Sequence, residues 1–161
     1  MATKNQNLSS YDKAAIPNAK ELRFGIVVSE WNANITENLF EGARSTLIAH
    51  GAVPENIHLR SVPGSFELIY GCKLMQSKDL DAIIAIGSVI QGDTKHFDFV
   101  CQAVSQGIKD LNVLGNIPVV FCVLTDNTMQ QAIDRSGGKH GNKGVEAAVT
   151  AIKMAMLRKN A

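Results

Sequence analysis

The chain has 161 residues, of which 45% are hydrophobic and 19% charged, and its formal net charge is +1. This length supports one well-buried core, and the near-neutral charge lacks the clustered basic excess that nucleic acids and anionic membranes require. The polar stretch from Met1 to Lys20 is unlike a signal peptide, and no later segment reaches the roughly 18 apolar residues of a membrane span. We therefore predict a cytoplasmic protein with an N-terminal arm (residues 1–22) and a single domain (residues 23–161). The arm has no apolar face, so it either stays disordered or packs on another surface.

The first predicted strand after the arm is Arg23–Ser29, an apolar, β-branched run typical of a parallel strand that is covered on both faces. The first helix is predicted over Ile35–His50, where apolar residues recur on one helical face. Asn34 and Glu37 are spaced like a capping box, and Gly51 is placed as a helix stop.

The same alternation continues along the rest of the chain. Three further runs resemble the first strand, namely Ile57–Val62, Asp81–Val89 and Ile117–Leu124. Helices are predicted over Phe66–Ser77, Phe97–Leu111, a short segment capped by Thr128 and Gln131, and Val145–Leu157. Because right-handed crossovers place helices on both faces of a parallel sheet, this order predicts an α/β fold. The expected architecture is a flavodoxin-like three-layer α/β/α sandwich with a central four-stranded parallel sheet.

The cysteines and histidines show no spacing typical of a metal site. Cys72, Cys101 and Cys122 lie far apart in apolar surroundings, which favours buried reduced thiols. Three histidines also lack ligand spacing with cysteines or carboxylates: His50, His58 and His140. We predict no metal.

Candidate site residues follow the strands, because open parallel sheets bind ligands beyond the carboxyl ends of their strands. Trp31 follows the first strand and suits stacking on a ring, although a loop tryptophan that covers the core explains it equally well. Ser65 and Glu67 follow the second strand at a helix start, where free N–H groups bind oxygens. Glu67 either accepts hydrogen bonds from hydroxyls or satisfies the helix dipole.

The loop after the third strand combines a glycine, a hydroxyl, a helix N-terminus and a histidine, in the run from Gly92 to His96. This combination suits a phosphate beside a proton-transfer group, although a lone loop histidine is often structural. The run lacks the spacing and the Gly-Lys-Ser/Thr ending of a P-loop. After the fourth strand, Arg135 could give a phosphate a two-pronged contact, with a solvated surface position as the alternative.

Taken together, several segments from Arg23 onward resemble the lumazine synthase family: FGIVVSEWN, VPGSFEL, IGSVIQGDTKHFDFV, VLTDNTMQQAIDRSGGKHGNKG and EAAVTAIKMA. Each segment alone is weak, but all of them in this order are highly specific. The resemblance implies condensation of 5-amino-6-(D-ribitylamino)uracil with 3,4-dihydroxy-2-butanone 4-phosphate in riboflavin biosynthesis. The product is 6,7-dimethyl-8-ribityllumazine, with release of phosphate and water and with no cofactor.

The resemblance also implies roles for individual residues. His96 matches the proton-transfer residue, and Trp31 matches the aromatic that stacks on the pyrimidine. The remaining substrate-binding positions match Asn32, Gly64, Ser65, Phe66, Glu67, Ser88, Val89, Ile90 and Phe121. The phosphate-binding positions match Gly92, Asp93, Thr94 and Arg135. Gln91 departs from the family, many members of which carry a basic residue there.

The family further implies a homo-oligomer: a pentamer with active sites between subunits, in some members built into an icosahedral shell that associates with riboflavin synthase. Phe121 and Arg135 would then come from the neighbour of the chain that provides Trp31 and His96. Two other functions compete with this one. A flavodoxin-type flavin module would need a phosphate loop where the chain has Glu30 and Trp31, and a shell protein without catalysis should lack His96 or Arg135.

Overall fold

The computed structural model describes residues 7–161 and has a central sheet of four parallel strands. The strands are β1 (Phe24–Ser29), β2 (Ile57–Val62), β3 (Ala82–Ile90) and β4 (Val119–Asp126), in the order β2-β1-β3-β4. The helices are α1 (Ala33–Ala49), α2 (Leu68–Met75), α3 (His96–Leu114), α4 (Met129–Arg135) and α5 (Lys143–Lys159). The predicted flavodoxin-like α/β sandwich is therefore confirmed.

Helices cover both faces of the sheet. On one face, α1 and α5 pack over alternate residues of the strands, among them Ile26, Ile84 and Cys122. On the other face, α2 and α3 pack over the intervening residues, such as Val27 and Ile83. This alternation explains the continuous apolar runs of β1 and β3, whose side chains are buried on both faces of the sheet.

The prediction that Ile57–Val62 is buried like the other strands is wrong. β2 lies at the edge of the sheet, and its residues from His58 to Ser61 are exposed in this chain. The polar side chains of His58 and Arg60 fit an edge strand, because strands with only one neighbour tolerate charged side chains.

Helix ends confirm one predicted cap and correct another. Thr128 and Gln131 form a capping box at the start of α4. In contrast, α1 begins two residues before the predicted helix, with Asn32 at its N-cap instead of Asn34. A short hairpin that the patterns did not predict, β5 (Ser136–Gly138) with β6 (Gly141–Asn142), joins α4 to α5.

The described part of the arm, from Asn7 to Leu22, packs on its own chain. Ala19 and Leu22 are buried in the core cluster under α1 and α5. The Tyr11 hydroxyl lies 3.0 Å from His50 Nε2, and the Leu8 N–H donates to the His140 carbonyl. Across residues 7–161, no helix combines the length and apolar character needed to cross a membrane.

Candidate active site

A cleft of about 700 Å³ opens where the strands β1, β2 and β3 end. It brings together residues from three separate loops, as the strand-end argument predicted. The predicted site residues that line it are Trp31, Asn32, Gly64, Ser65, Phe66, Glu67, Ser88, Val89, Ile90, Gly92, Thr94 and His96.

Asn32 connects the first loop to the third strand. Its backbone is in the left-handed region (φ 59°, ψ 47°), which asparagine adopts more readily than most residues. From there its side-chain amide donates to the Ser88 carbonyl at 3.0 Å. The hydrogen bond fixes the loop that carries Trp31 beside the end of β3.

Close packing brings the second loop to the same point. A Cβ atom at Gly87 would lie 2.6 Å from Ser65 Oγ, so only glycine lets β3 approach Ser65 this closely. The Ser65 and Ser88 hydroxyls are buried, and neither has a hydrogen-bond partner among the described residues. Both residues line the cleft, so either hydroxyl can hydrogen-bond a polar ligand once its side chain turns toward the cleft.

The aromatic side chains of the cleft are open to solvent. Trp31 is 72% exposed, and Phe66 is 53% exposed. Trp31 therefore does not cover the core, and that alternative is wrong for this chain. An exposed indole beside this cleft can stack on a flat ring.

The third loop ends at the N-terminus of α3. His96 is the first residue of this helix, and its backbone N–H lies 3.4 Å from Thr94 Oγ1. Gly92 and Thr94 line the cleft, whereas Asp93 lies in the same loop but outside the lining. Since free N–H groups at a helix N-terminus attract anions, a phosphate bound here would lie next to an imidazole.

Phe121 and Arg135 do not reach this cleft. They lie in a second groove of about 500 Å³ along the free edge of β4, which also contains Thr125, Lys143 and Glu146. Lys143 is 9% exposed, and its Nζ lies 2.5 Å from Glu146 Oε1. Arg135 Nη1 donates to Asp126 Oδ1 at 3.1 Å.

The structure also places residues at the two cavities that were not predicted from the sequence. Phe97, Val100 and Met129 line the cleft. Phe97 and Val100 are three residues apart at the start of α3 and share a helical face, a signal that was available in the sequence. The buried Lys143 had no such signal, because it is buried where α5 packs against β4 near Cys122.

An exposed indole, unpaired hydroxyls, a carboxylate and an imidazole at a helix N-terminus equip the cleft for a flat polar ligand with an anionic group. The chain is thus a flavodoxin-like α/β protein with a candidate small-molecule site at the carboxyl ends of its strands. Within residues 7–161, no three histidine, cysteine or carboxylate side chains come together in a metal-binding group.

Comparison with known proteins identifies the family. The sequence model of the 6,7-dimethyl-8-ribityllumazine synthase family matches residues 21–159, so the chain belongs to this family. The 6,7-dimethyl-8-ribityllumazine synthase of Christiangramia forsetii is 68% identical, with 100% of this chain and 97% of that protein covered. The protein of the same name from Flavobacterium johnsoniae is 65% identical (100% and 85% covered), and that from Porphyromonas gingivalis is 57% identical (99% of each). The resemblance seen in the sequence is confirmed.

Proposed function

We propose that this chain catalyses the reaction for which its relatives are named, the formation of 6,7-dimethyl-8-ribityllumazine. The substrates would be 5-amino-6-(D-ribitylamino)uracil and 3,4-dihydroxy-2-butanone 4-phosphate. One observation carries the proposal: in a chain of this family, a single cleft joins the indole of Trp31, the carboxylate of Glu67 and the imidazole of His96.

In this proposal, the cleft binds the uracil by shape and by hydrogen bonds. Trp31 stacks on the pyrimidine ring, and Ser88, Val89 and Ile90 line the ring pocket. Gly64, Ser65, Phe66 and Glu67 hold the ribityl chain, whose hydroxyls can donate to the Glu67 carboxylate. Asn32 keeps the Trp31 loop against the end of β3 through its hydrogen bond to Ser88.

The phosphate of the second substrate binds at the N-terminus of α3, on the loop that contains Gly92, Asp93 and Thr94. Asp93 is tolerated there because its backbone N–H, and not its carboxylate, would make the contact. Arg135 adds a planar guanidinium, and Phe121 contacts the edge of the pyrimidine ring.

The chemistry needs proton transfers and no redox step. The amino nitrogen of the uracil attacks the ketone, and loss of water gives a Schiff base. Phosphate then leaves, and the ribityl-bearing nitrogen closes the second ring with loss of another water. His96 lies beside the phosphate loop, where it can move protons between these groups without an organic cofactor. Holding both substrates in one cleft supplies the orientation that joins them.

We further propose that the site is completed by a second copy of the chain. Two observations support this. Phe121 and Arg135 lie in the groove along β4, outside the cleft that contains His96. The side chains of Tyr70, Phe99 and Leu114 are more than two-thirds exposed on the face formed by α2 and α3, as expected for a subunit interface.

A cyclic pentamer would bring the β4 groove of one chain to the cleft of the next, since head-to-tail contacts close into rings. We extend the proposal to an icosahedral shell of such rings, to association with riboflavin synthase and to a cytoplasmic location. The three unpaired cysteines fit that location. We also propose that residues 1–22 form an arm ahead of one domain (residues 23–161).

The direct test mixes the purified protein with both substrates and follows the fluorescence of the lumazine. The wild-type protein should form product, and His96→Ala should slow turnover by roughly 10²- to 10⁴-fold while the fold is retained. His140→Ala is the matched control and should leave the rate unchanged. The absence of product from the wild type would refute the activity, and a His96→Ala rate within twofold of wild type would remove His96 from the mechanism.

A mixing experiment tests the shared site. His96→Ala and Arg135→Ala chains are purified, unfolded together in equal amounts and refolded. If each site takes His96 from one chain and Arg135 from its neighbour, about one site in four regains both groups. Activity should then exceed that of either variant refolded alone, and activity no higher than the two parents would refute a site shared in this way.

A further inference from the structure

A buried carboxylate lies at the end of β4, beside the groove that contains Arg135. Asp126 is 4% exposed, and its Oδ1 accepts the 3.1 Å hydrogen bond from Arg135 Nη1. Its second oxygen, Oδ2, is buried and has no hydrogen-bond partner among the described residues. Arg135 is partly open, with 27% of its side chain exposed.

The same residue anchors the start of the phosphate loop. Asp126 pairs with Ile90 at the last position of the β3–β4 register, and its carbonyl accepts a 3.0 Å hydrogen bond from the Gln91 N–H. Gln91 directly precedes Gly92, the first proposed phosphate contact. Asp126 therefore touches both the loop after β3 and the guanidinium of Arg135, which in the shared-site proposal serve two neighbouring sites.

The turn after Asp126 is held in one conformation. The Gln131 side chain accepts from the Asn127 N–H at 2.8 Å and from the Thr128 N–H at 3.3 Å, and Thr128 caps α4 in return. Arg135 is the last residue of this short helix, so the helix returns its side chain to Asp126. The backbone of α4 thus fixes the position of the Arg135 Cα atom, and the Asp126 carboxylate fixes the position of its guanidinium.

The pair is a poor source of stability. Burial raises the pKa of Asp126, and the neighbouring Arg135 only opposes that rise. A buried ion pair with one unsatisfied oxygen gains little over an apolar side chain of similar size. The pair can instead hold the arginine in one orientation. An arginine that is already ordered loses less entropy when it binds a ligand.

We propose that Asp126 is a positioning residue for Arg135. It holds the Nη1 side of the guanidinium, so that the remaining N–H groups stay directed at the phosphate of the keto substrate. Asp126 itself does not touch the substrate. This inference rests on the proposed phosphate role of Arg135.

The test compares two variants whose side chains have the same number of heavy atoms as aspartate. Asp126→Leu removes the acceptor but fills the buried space, and Asp126→Asn keeps an oxygen that can accept from Nη1. Asp126→Leu should raise KM for the keto phosphate roughly three- to tenfold and leave KM for the uracil within twofold. Asp126→Asn should restore KM for the keto phosphate to within about twofold of wild type.

A second comparison uses Arg135→Ala. In that background, Asp126→Leu should change neither KM, because Asp126 acts only through Arg135. Thermal unfolding of each variant provides the check on folding. If Asp126→Leu does not fold, Asp126→Ala takes its place, with the same expected rise in KM for the keto phosphate and the same rescue by Asp126→Asn.

Three results would overturn the proposal: equal rises in both KM values, no change in the keto phosphate KM, or an effect that persists without Arg135. Arg135→Ala alone separates this inference from its premise. A selective rise for the keto phosphate in Arg135→Ala with none in Asp126→Leu would reject only the role of Asp126. No selective rise in Arg135→Ala would reject the phosphate role of Arg135 as well.

Discussion

The helices on the two faces of the sheet bury their apolar side chains to different extents. On the face covered by α1 and α5, the contact side of α5 is buried along nearly its whole length, from Gly144 to Ala155. On the face covered by α2 and α3, the nineteen-residue helix α3 buries Val104, Ile108 and Leu111, and both helices leave large apolar side chains exposed.

The small residues of α5 explain the closed face. Four alanines let the helix lie close to α1 and the sheet: Ala147, Ala148, Ala151 and Ala155. The backbone of Gly144 packs so closely on α1 that a Cβ there would lie 1.9 Å from the Leu39 carbonyl oxygen. On the open face, Phe99, Val113 and Leu114 point outward and are each more than two-thirds exposed. One face is completed by the chain itself, and the other has the surface that an assembly requires.

The largest expected effect comes from a charge placed on the open face. Leu114 is 82% exposed on α3, and Leu157 is 62% exposed on α5, so Leu157→Asp is the matched control for Leu114→Asp. If the α2–α3 face is an interface, Leu114→Asp should break the assembly, since burying an unpaired charge costs on the order of 3–5 kcal/mol. Light scattering should give a lower mass for Leu114→Asp and an unchanged mass for Leu157→Asp.

Activity should fall together with the mass of Leu114→Asp, because the proposed site needs two chains. An unchanged mass for Leu114→Asp would mean that this part of the open face is free in solution. A fully active single chain would refute the shared site itself.

A smaller effect distinguishes how the helices on the two faces approach their neighbours. A Cβ at Gly144 would collide with the Leu39 backbone carbonyl, whereas a Cβ at Gly107 would meet the side chain of Ile69, which can move. Gly144→Ala should therefore lower the free energy of unfolding by about 3 kcal/mol, and Gly107→Ala by about 1 kcal/mol or less. Denaturant unfolding at equal protein concentrations measures both. Equal losses would show that the two helix contacts are equally rigid.

The smallest effect concerns the interiors of the two faces, which should be alike. Burial raises the pKa of Cys122 under α5 to about 12 and that of Cys72 in α2 to about 12. Only the thiolate reacts, and it forms as pH rises toward the pKa, so at pH 8 both residues should resist alkylation in the folded protein. All three cysteines should react after unfolding in guanidinium. Mass spectrometry of alkylated peptides checks this. Rapid labelling of Cys72 alone would mean that the core between the sheet and α2 becomes accessible to the reagent in the folded protein.

Much of the fold was predictable because it depends on local patterns. β1, β3 and β4 have apolar runs long enough to identify as buried strands, and the Thr128–Gln131 capping box was correctly located. β2 differs from the prediction because its three apolar residues, Ile57, Leu59 and Val62, fit an edge strand as well as a buried one. The β5–β6 hairpin was missed because it has only a few residues, and its conformation depends on Gly137 and Gly141 at positive φ.

The candidate site divides in the same way. Strand-end residues such as Trp31 and Thr94 could be found from the sequence, because parallel strands present their carboxyl ends at one edge. The separation of Arg135 from the main cleft followed from the family resemblance alone, since periodicity does not report which edge of a sheet a side chain reaches. Asp126 was not singled out, because nothing in its local sequence indicates that its carboxylate is buried.

The sequence by itself determined the order of elements, the layer architecture, the family and most residues of the cleft. These features depend on hydrophobic periodicity and on motifs whose residues are close together in the sequence. Only the tertiary structure decided which strands lie at the edges, which helix face stays uncovered, and that Asp126 holds Arg135. Those features depend on contacts between residues that belong to different elements, and the energy of such a contact is set by burial that no single segment encodes.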